Sequence, residues 1–224
     1  MEEQQDSFVG RTIRRRYHLE KRIGVGAFGA VYRATDFETG TACAVKLLRT
    51  NQSRRREVSL RFWDEAHFVA SLCHPNIVES YDYGEDEDGT LFLCMELLRG
   101  QDLEEYLKKR PRISMMEALS IIQQIGSALH SVHLSKMVHR DLKPRNVFVL
   151  AERAGNRSNS GATPPLIKVI DFGLAKSLLR QGGDRGSGGL LIGTPDYLAP
   201  EAWRSDGQEV DARADQWEIG RAHV

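Results

Sequence analysis

The chain has no long apolar run, no net charge and few cysteines. Lys and Arg number 31 and Asp and Glu number 31, so no global field draws it to nucleic acid or a membrane surface. No stretch approaches the roughly 18 apolar residues of a membrane span. The most apolar segment, Leu91 to Leu98, is short and interrupted by Glu96. The first residues are acidic and polar, without the apolar core of a secretory signal. The 3 cysteines, Cys43, Cys73 and Cys94, are odd in number and lack CxxC spacing, which argues against a disulfide framework or a metal site. They read as small buried side chains in a reducing compartment. A soluble, cytoplasmic chain without a nucleic-acid partner is expected. Its 224 residues suffice for one large domain or two small ones.

What is present is a change of pattern near residue 99. Residues 1–16 are polar, include Arg14-Arg15-Arg16, and read as a loose lead-in. Alternation predicts strands over Tyr17–Ile23, Ala30–Ala34 and Ala42–Leu48, with Glu38-Thr39-Gly40 as a hairpin turn. Leu60, Phe62, Phe68, Val69 and Leu72 recur at near-helical intervals, predicting a helix from Val58 to Leu72. His74-Pro75-Asn76 ends it, because proline disfavours helical geometry in the preceding residue. Strands are expected at Ile77–Tyr83 and Leu91–Glu96, around the acidic turn Glu85–Gly89. Beyond Gly100 the pattern becomes helical, over Asp102–Lys109 and Ser114–Leu134, the second opened by the capping pair Ser114 and Glu117. Short strands follow around Val147–Leu150 and Ile167–Ile170. Ala151–Pro165 and the glycine-rich Gln181–Gly189 read as loops. Strands first and helices afterwards argue for two lobes with a cleft between them.

Four short motifs carry chemistry. Gly24-Val25-Gly26-Ala27-Phe28-Gly29 is followed by a strand pattern, so a glycine-tipped hairpin is expected rather than the strand-to-helix turn of dinucleotide folds. Such a turn lets backbone amides lie close over phosphates. Lys46, in Ala44-Val45-Lys46, is either a solvated strand lysine or a phosphate ligand. In His139-Arg140-Asp141-Leu142-Lys143-Pro144-Arg145-Asn146, the spacing suits a base, Asp141, beside a metal-binding amide, Asn146. Lys143 lies between them to meet a transferring phosphate. Asp171-Phe172-Gly173 adds a second candidate metal ligand.

All four in this order resemble the eukaryotic-like serine/threonine protein kinases of bacterial type, over about residues 15–217. The resemblance implies an α+β fold of two lobes: a small antiparallel-sheet lobe with one helix (17–98) and a helical lobe (99–217), here incomplete. It implies ATP and magnesium as cofactors and serine or threonine in a protein as acceptor. Asp141 and Lys143 become catalytic, and Asn146 and Asp171 hold magnesium. Gly24, Gly26 and Gly29 cover the phosphates, and Lys46 bridges two of them while pairing with Glu65. Asp64 is the neighbour most easily confused with Glu65, which shares its helix side with Val69. Met95 becomes the gatekeeper, the backbone of Glu96 and Leu98 meets adenine, and Ile23, Val31, Ala44 and Phe148 enclose the ring. For these apolar residues alone, plain core packing is the simpler account.

The resemblance extends to regulation and to the end of the chain. Gly193-Thr194-Pro195-Asp196-Tyr197 and Ala199-Pro200-Glu201 match a peptide-docking segment, with Thr194 directed toward Asp141 and Lys143. Arg140 is matched in the family by a phosphorylated activation loop, for which Ser187 and then Ser177 are candidates; Ser187 reads equally as a linker serine. A dimer for trans-autophosphorylation is compatible with this. Arg54-Arg55-Arg56 with Arg61 read as a solvated face, or as a site for an acidic partner. Asp215 matches an aspartate that holds the backbone around His139 and Arg140. Rivals are a pseudokinase, which would lack Lys46, Asp141, Asn146 or Asp171, and a small-molecule kinase, which would lack the Gly193–Glu201 segment. Residues 218–224 back-translate to codons resembling a sequencing-library adapter, so they read as a non-native tail on a longer protein. Exposed apolar faces on Ser114–Leu134 and near Trp217, with poor solubility and little activity, are expected of the chain as it stands.

Overall fold

Alternating apolar and polar side chains from Tyr17 to Leu48 form neighbouring strands of one sheet, as a period of two requires. The computed structural model describes residues 6–26, 29–48, 62–63, 66–67, 69–151, 164–172, 195–203 and 211–221. The chain divides into two units, Met1–Ser71 with Glu79–Leu97 and Leu72–Val78 with Leu98–Val224.

The first unit is an antiparallel sheet of β1 (Thr12–Ile13), β2 (Tyr17–Gly26), β3 (Gly29–Asp36), β4 (Ala42–Leu48), β5 (Ser80–Glu85) and β6 (Leu91–Glu96). Its order is β1-β2-β3-β4-β6-β5. Tyr17, Leu19, Tyr32, Ala34, Cys43, Val45, Leu47, Phe92 and Cys94 form its buried core. The register places Val31 opposite Lys46, Lys46 opposite Leu93, and Ala44 opposite Met95. Paired residues share a face, and residues two apart along a strand share it too. Val31, Ala44, Lys46 and Met95 therefore lie together on the face turned away from that core. Gly26 pairs with Gly29, so the glycines tip a hairpin that continues as a strand, and the dinucleotide alternative falls.

Gly29 is required by a close approach of backbone. A Cβ built there would lie 2.0 Å from the Leu47 carbonyl oxygen on β4. Gly29→Ala is expected to force the β3–β4 rungs apart at a cost of about 1–3 kcal/mol. Urea unfolding checks this, and an unchanged midpoint contradicts it.

Three expectations about the first 97 residues are corrected. Residues 6–16 are not a loose lead-in: Ile13 is fully buried, and β1 pairs with β2. The strand expected from Ile77 begins at Ser80, because Ile77 forms a parallel bridge to Val169 in the second unit's own sheet region. Cys43 and Cys94 are buried, but Cys73 is exposed, and all are free thiols. Between Phe62 and Ser71 the described residues are helical, with Phe62, Ala66 and Val69 buried at helical spacing.

The second unit combines a small sheet of order β7-β8-β9 with helices. Its strands are β7 (Gly100–Asp102), β8 (Val147–Leu150) and β9 (Ile167–Val169). Its helices are α1 (Leu103–Lys109), α2 (Met115–Leu134), α3 (Pro200–Trp203) and α4 (Ala212–Arg221). Asp102 caps α1 through the Glu105 amide, and Ser114 caps α2 through the Glu117 amide. The reciprocal half of the capping pair goes elsewhere: the Glu117 carboxylate accepts from the Tyr106 hydroxyl. α2 buries Ile121, Ile125, Ala128, Leu129 and Val132 on one face and leaves Met115, Met116, Leu119 and Leu134 exposed. Helix α4 runs past Trp217, itself exposed, to Arg221, and buries Ala214, Asp215 and Glu218.

Candidate active site

The loop from His139 to Asn146 has little regular structure, so its shape depends on side chains that satisfy its amides. Asp215, fully buried on α4, satisfies two of them. Its Oδ2 accepts from the His139 amide at 2.9 Å, and its Oδ1 accepts from the Arg140 amide at 3.0 Å. His133 Nε2 donates to Oδ2 at 2.8 Å. Glu218, one turn on, accepts from the Leu142 amide at 2.6 Å. Arg140 takes a left-handed backbone, φ 64°, uncommon for a side chain with a Cβ. Two carboxylates on one helix therefore pin a bend that the chain would not adopt alone.

That bend gathers the expected catalytic residues. Lys143 Nζ lies 3.1 Å from Asp141 Oδ2, and Asn146 Nδ2 donates to the same oxygen at 3.2 Å. Asn146 Nδ2 also donates to the Asp141 carbonyl at 2.7 Å. The amide nitrogen of Asn146 is thus committed to Asp141, and its Oδ1 is the atom of that side chain with the chemistry to meet a cation. A short 3-10 turn, Pro144–Asn146, closes on the Lys143 carbonyl and fixes this spacing.

His139 ties this loop to the segment carrying Asp171. Its Nδ1 accepts from the Asp141 amide at 3.2 Å, so Nε2 carries the proton and donates to the Ile170 carbonyl at 3.1 Å. The Ile170 amide in turn donates to the Asn146 carbonyl at 2.9 Å. Phe172 is buried with its ring centroid 4.8 Å from that of His139. Asp171 lies between these anchors in a left-handed backbone, φ 56°. Asn146 and Asp171 offer oxygen atoms, the donors a hard cation such as magnesium takes.

Burial holds the His139 imidazole below its ordinary 6.5, against the opposing pull of Asp215, Asp141 and Asp171. The unfolded chain binds a proton here at a pH where the folded chain does not. Stability from this site is therefore complete above about pH 6.5 and falls as the pH drops toward the depressed folded value. Unfolding by urea at about pH 7.5 and about pH 5.5 should show the loss, with a slope of at most about 1.4 kcal/mol per pH unit. A flat profile in His139→Gln and a sloping one in the wild type is the expected pair. Equal slopes contradict the assignment.

Several positioning residues lie outside the short motifs. Asn76 Nδ2 donates to the Ile167 carbonyl and to Gln124 Oε1, each at 2.9 Å. Gln124 Oε1 also accepts from the Ile167 amide at 3.0 Å. The Val169 amide donates to the Asn76 carbonyl at 2.8 Å. Together they hold β9, the strand that leads into Asp171. The sequence signal was a polar residue inside an apolar helical stripe, Gln124, and an asparagine after His74-Pro75.

In the first unit, Lys46 sits mid-strand and partly buried, beside Val31 and Leu93 in register. Ala44 and Met95 are buried on its face, whereas Ile23 on the glycine hairpin is exposed. Gly24 pairs with Val31 just before the glycine turn. The Glu96 amide donates to the Glu79 carbonyl at 3.0 Å, and its carboxylate accepts from the Glu79 amide at 2.9 Å. Leu98 begins the longer segment of the second unit, where Phe148 on β8 pairs with Asp102 and Lys168. Asp64, Glu65, Arg54-Arg55-Arg56, Arg61, Ser177, Ser187, Gly193 and Thr194 lie outside the described residues.

Comparison with known proteins supplies the family. The model of the protein kinase domain matches residues 17–223. Serine/threonine-protein kinase pkn3 of Myxococcus xanthus is 35% identical over 96% of this chain and 38% of its own length. PknA of Mycobacterium tuberculosis, also a serine/threonine-protein kinase, is 35% identical over 95% of this chain and 46% of its own. The chain thus spans less than half the length of these curated relatives. The crystal structure of the Mycobacterium tuberculosis PknI kinase domain superposes with a TM-score of 0.69 at 28% identity, over 96% of this chain and 74% of that one.

Proposed function

Because the chain belongs to the protein kinase family, with bacterial serine/threonine kinases as relatives, we propose that it transfers the γ-phosphate of ATP to serine or threonine hydroxyls of proteins. The observation that carries this reading is the cluster of Asp141, Lys143 and Asn146 on one bend held by Asp215. In this reading the Asp141 carboxylate accepts the proton of the acceptor hydroxyl as its oxygen bonds to the γ-phosphorus. Lys143, 3.1 Å from that carboxylate, neutralises charge on the phosphoryl oxygens as ADP departs. Asn146 and Asp171 are assigned to magnesium, which when bound neutralises the phosphates and aligns them for displacement.

Gly24, Gly26 and Gly29 are assigned to the phosphates, Lys46 with Glu65 to their orientation, and Ile23, Val31, Ala44, Met95, Glu96, Leu98 and Phe148 to the nucleoside. The proposed lobes are residues 17–98 and 99–217, and Glu218, expected in a non-native tail, belongs with the second, since it is buried on α4 and accepts from the Leu142 amide. ATP as donor places the domain in the cytoplasm, and trans-autophosphorylation calls for a transient dimer. Among the described residues no helix is long and apolar enough to cross a membrane. The pseudokinase alternative gains nothing from the residues present, since Lys46, Asp141, Asn146 and Asp171 all stand at their places. Incubation with γ-labelled ATP, magnesium and an unstructured acceptor protein should label the acceptor, and a chelator should stop it. Labelling that ignores the chelator would remove Asn146 and Asp171 from the assigned role.

A further inference from the structure

Nothing in the proposed mechanism uses residues 6–16, and the family match begins only at residue 17. Yet this arm is anchored at both ends of its own sheet. Both oxygens of the Asp6 carboxylate accept from the Tyr32 hydroxyl at 3.1 Å, and Arg22 pairs with Asp6 at 2.9 Å. The Phe8 amide donates to Asp6 at 3.1 Å, and the Phe8 ring lies 6.2 Å from that of Tyr32. Arg22 and Tyr32 face each other across β2 and β3, and the next paired rung, Gly24 with Val31, lies beyond a bulge. One carboxylate therefore ties both strands of the hairpin just before the glycines begin.

The arm's other end grips the turn between β5 and β6. Arg11 pairs with Asp86 at 3.4 Å and Asp88 at 2.8 Å, and Arg15 pairs with Glu87 at 2.9 Å. The Arg14 amide donates to Asp86 at 2.9 Å. In sheet order the β2–β3 hairpin and the β5–β6 pair are not neighbours, and the arm contacts both. Among the described residues β2 beyond His18 is paired with β3 alone, and glycines offer no side chains to stiffen the tip of that hairpin. A bulge adds twist and freedom at the same place. The strap restrains that freedom from outside.

The geometry points to Asp6 as a positioning residue that sets the pitch of the glycine hairpin and, through it, the affinity for magnesium-ATP. The inference rests on the kinase reading above. The test is direct binding of magnesium-ATP to the purified protein by calorimetry, for wild type, Asp6→Ala, Tyr32→Phe and the double variant. Asp6→Ala is expected to weaken binding about three- to tenfold, the range of couplings carried through packed contacts. Tyr32→Phe should weaken it less and add little once Asp6 is gone, because both act through one contact. Leu19→Ala, a core truncation in the same sheet, controls for general loosening. Unchanged affinity in Asp6→Ala overturns the inference, as does a loss no larger than that of the Leu19→Ala control at equal destabilisation. A wild type that binds no nucleotide overturns the kinase reading, and this inference with it.

Discussion

Asp141→Asn lowers turnover by about 10²–10⁴-fold, the contribution of a positioned general base, while leaving nucleotide affinity and stability nearly unchanged. The reason is in the loop's hydrogen bonds. Asn146 keeps its stronger contact, to the Asp141 backbone carbonyl at 2.7 Å, whatever the side chain at 141. An asparagine oxygen still accepts from Lys143, so the bend survives. What is lost is the capacity to take a proton. Steady-state kinetics should therefore show kcat falling with KM for ATP steady, the signature of an interaction made only in the transition state. A variant that keeps more than about a tenth of wild-type turnover would remove Asp141 from the role of base.

Asp215 gives the second large effect, on stability rather than chemistry. Asp215→Ala leaves the His139 and Arg140 amides without their acceptors, the first in a fully buried place and the second in a partly buried one. Each unmet buried donor costs about 1–3 kcal/mol, so about 2–6 kcal/mol is expected in all. Against a typical total of about 5–15 kcal/mol, that brings the fold close to unfolding. Asp215→Asn should fall between, since an amide can accept at one position but not the other. Urea denaturation of the three proteins gives the order wild type, Asn, Ala. Equal midpoints would mean that the left-handed Arg140 is held by something other than Asp215.

The clustering of the His139–Asn146 loop was legible because it is local: Asp141, Lys143 and Asn146 lie close in sequence and share one bend. The strands were legible where an apolar run follows a clear turn, as at Ala42–Leu48 after Glu38-Thr39-Gly40, which the structure reproduces to the residue. The Asp215 contacts were legible only through family resemblance, since they join residues 75 and 76 positions apart. The arm at residues 6–16 was misread because its order comes from charge pairs with a turn more than 70 positions away. Composition alone shows only that such a segment is polar. β7 was missed for a similar reason: Gly100-Gln101-Asp102 has no strand propensity and is held as a strand by pairing with β8. Asn76 was read as the end of a helix, when its amide holds the strand leading to Asp171.

The central claim is transfer to serine or threonine in protein, and phosphoamino-acid analysis of an acceptor labelled from γ-labelled ATP tests it most directly. The account predicts label in phosphoserine and phosphothreonine with wild type and at least about 10²-fold slower labelling with Asp141→Asn. Label confined to inorganic phosphate or phosphotyrosine, or nucleotide bound without transfer, would contradict it.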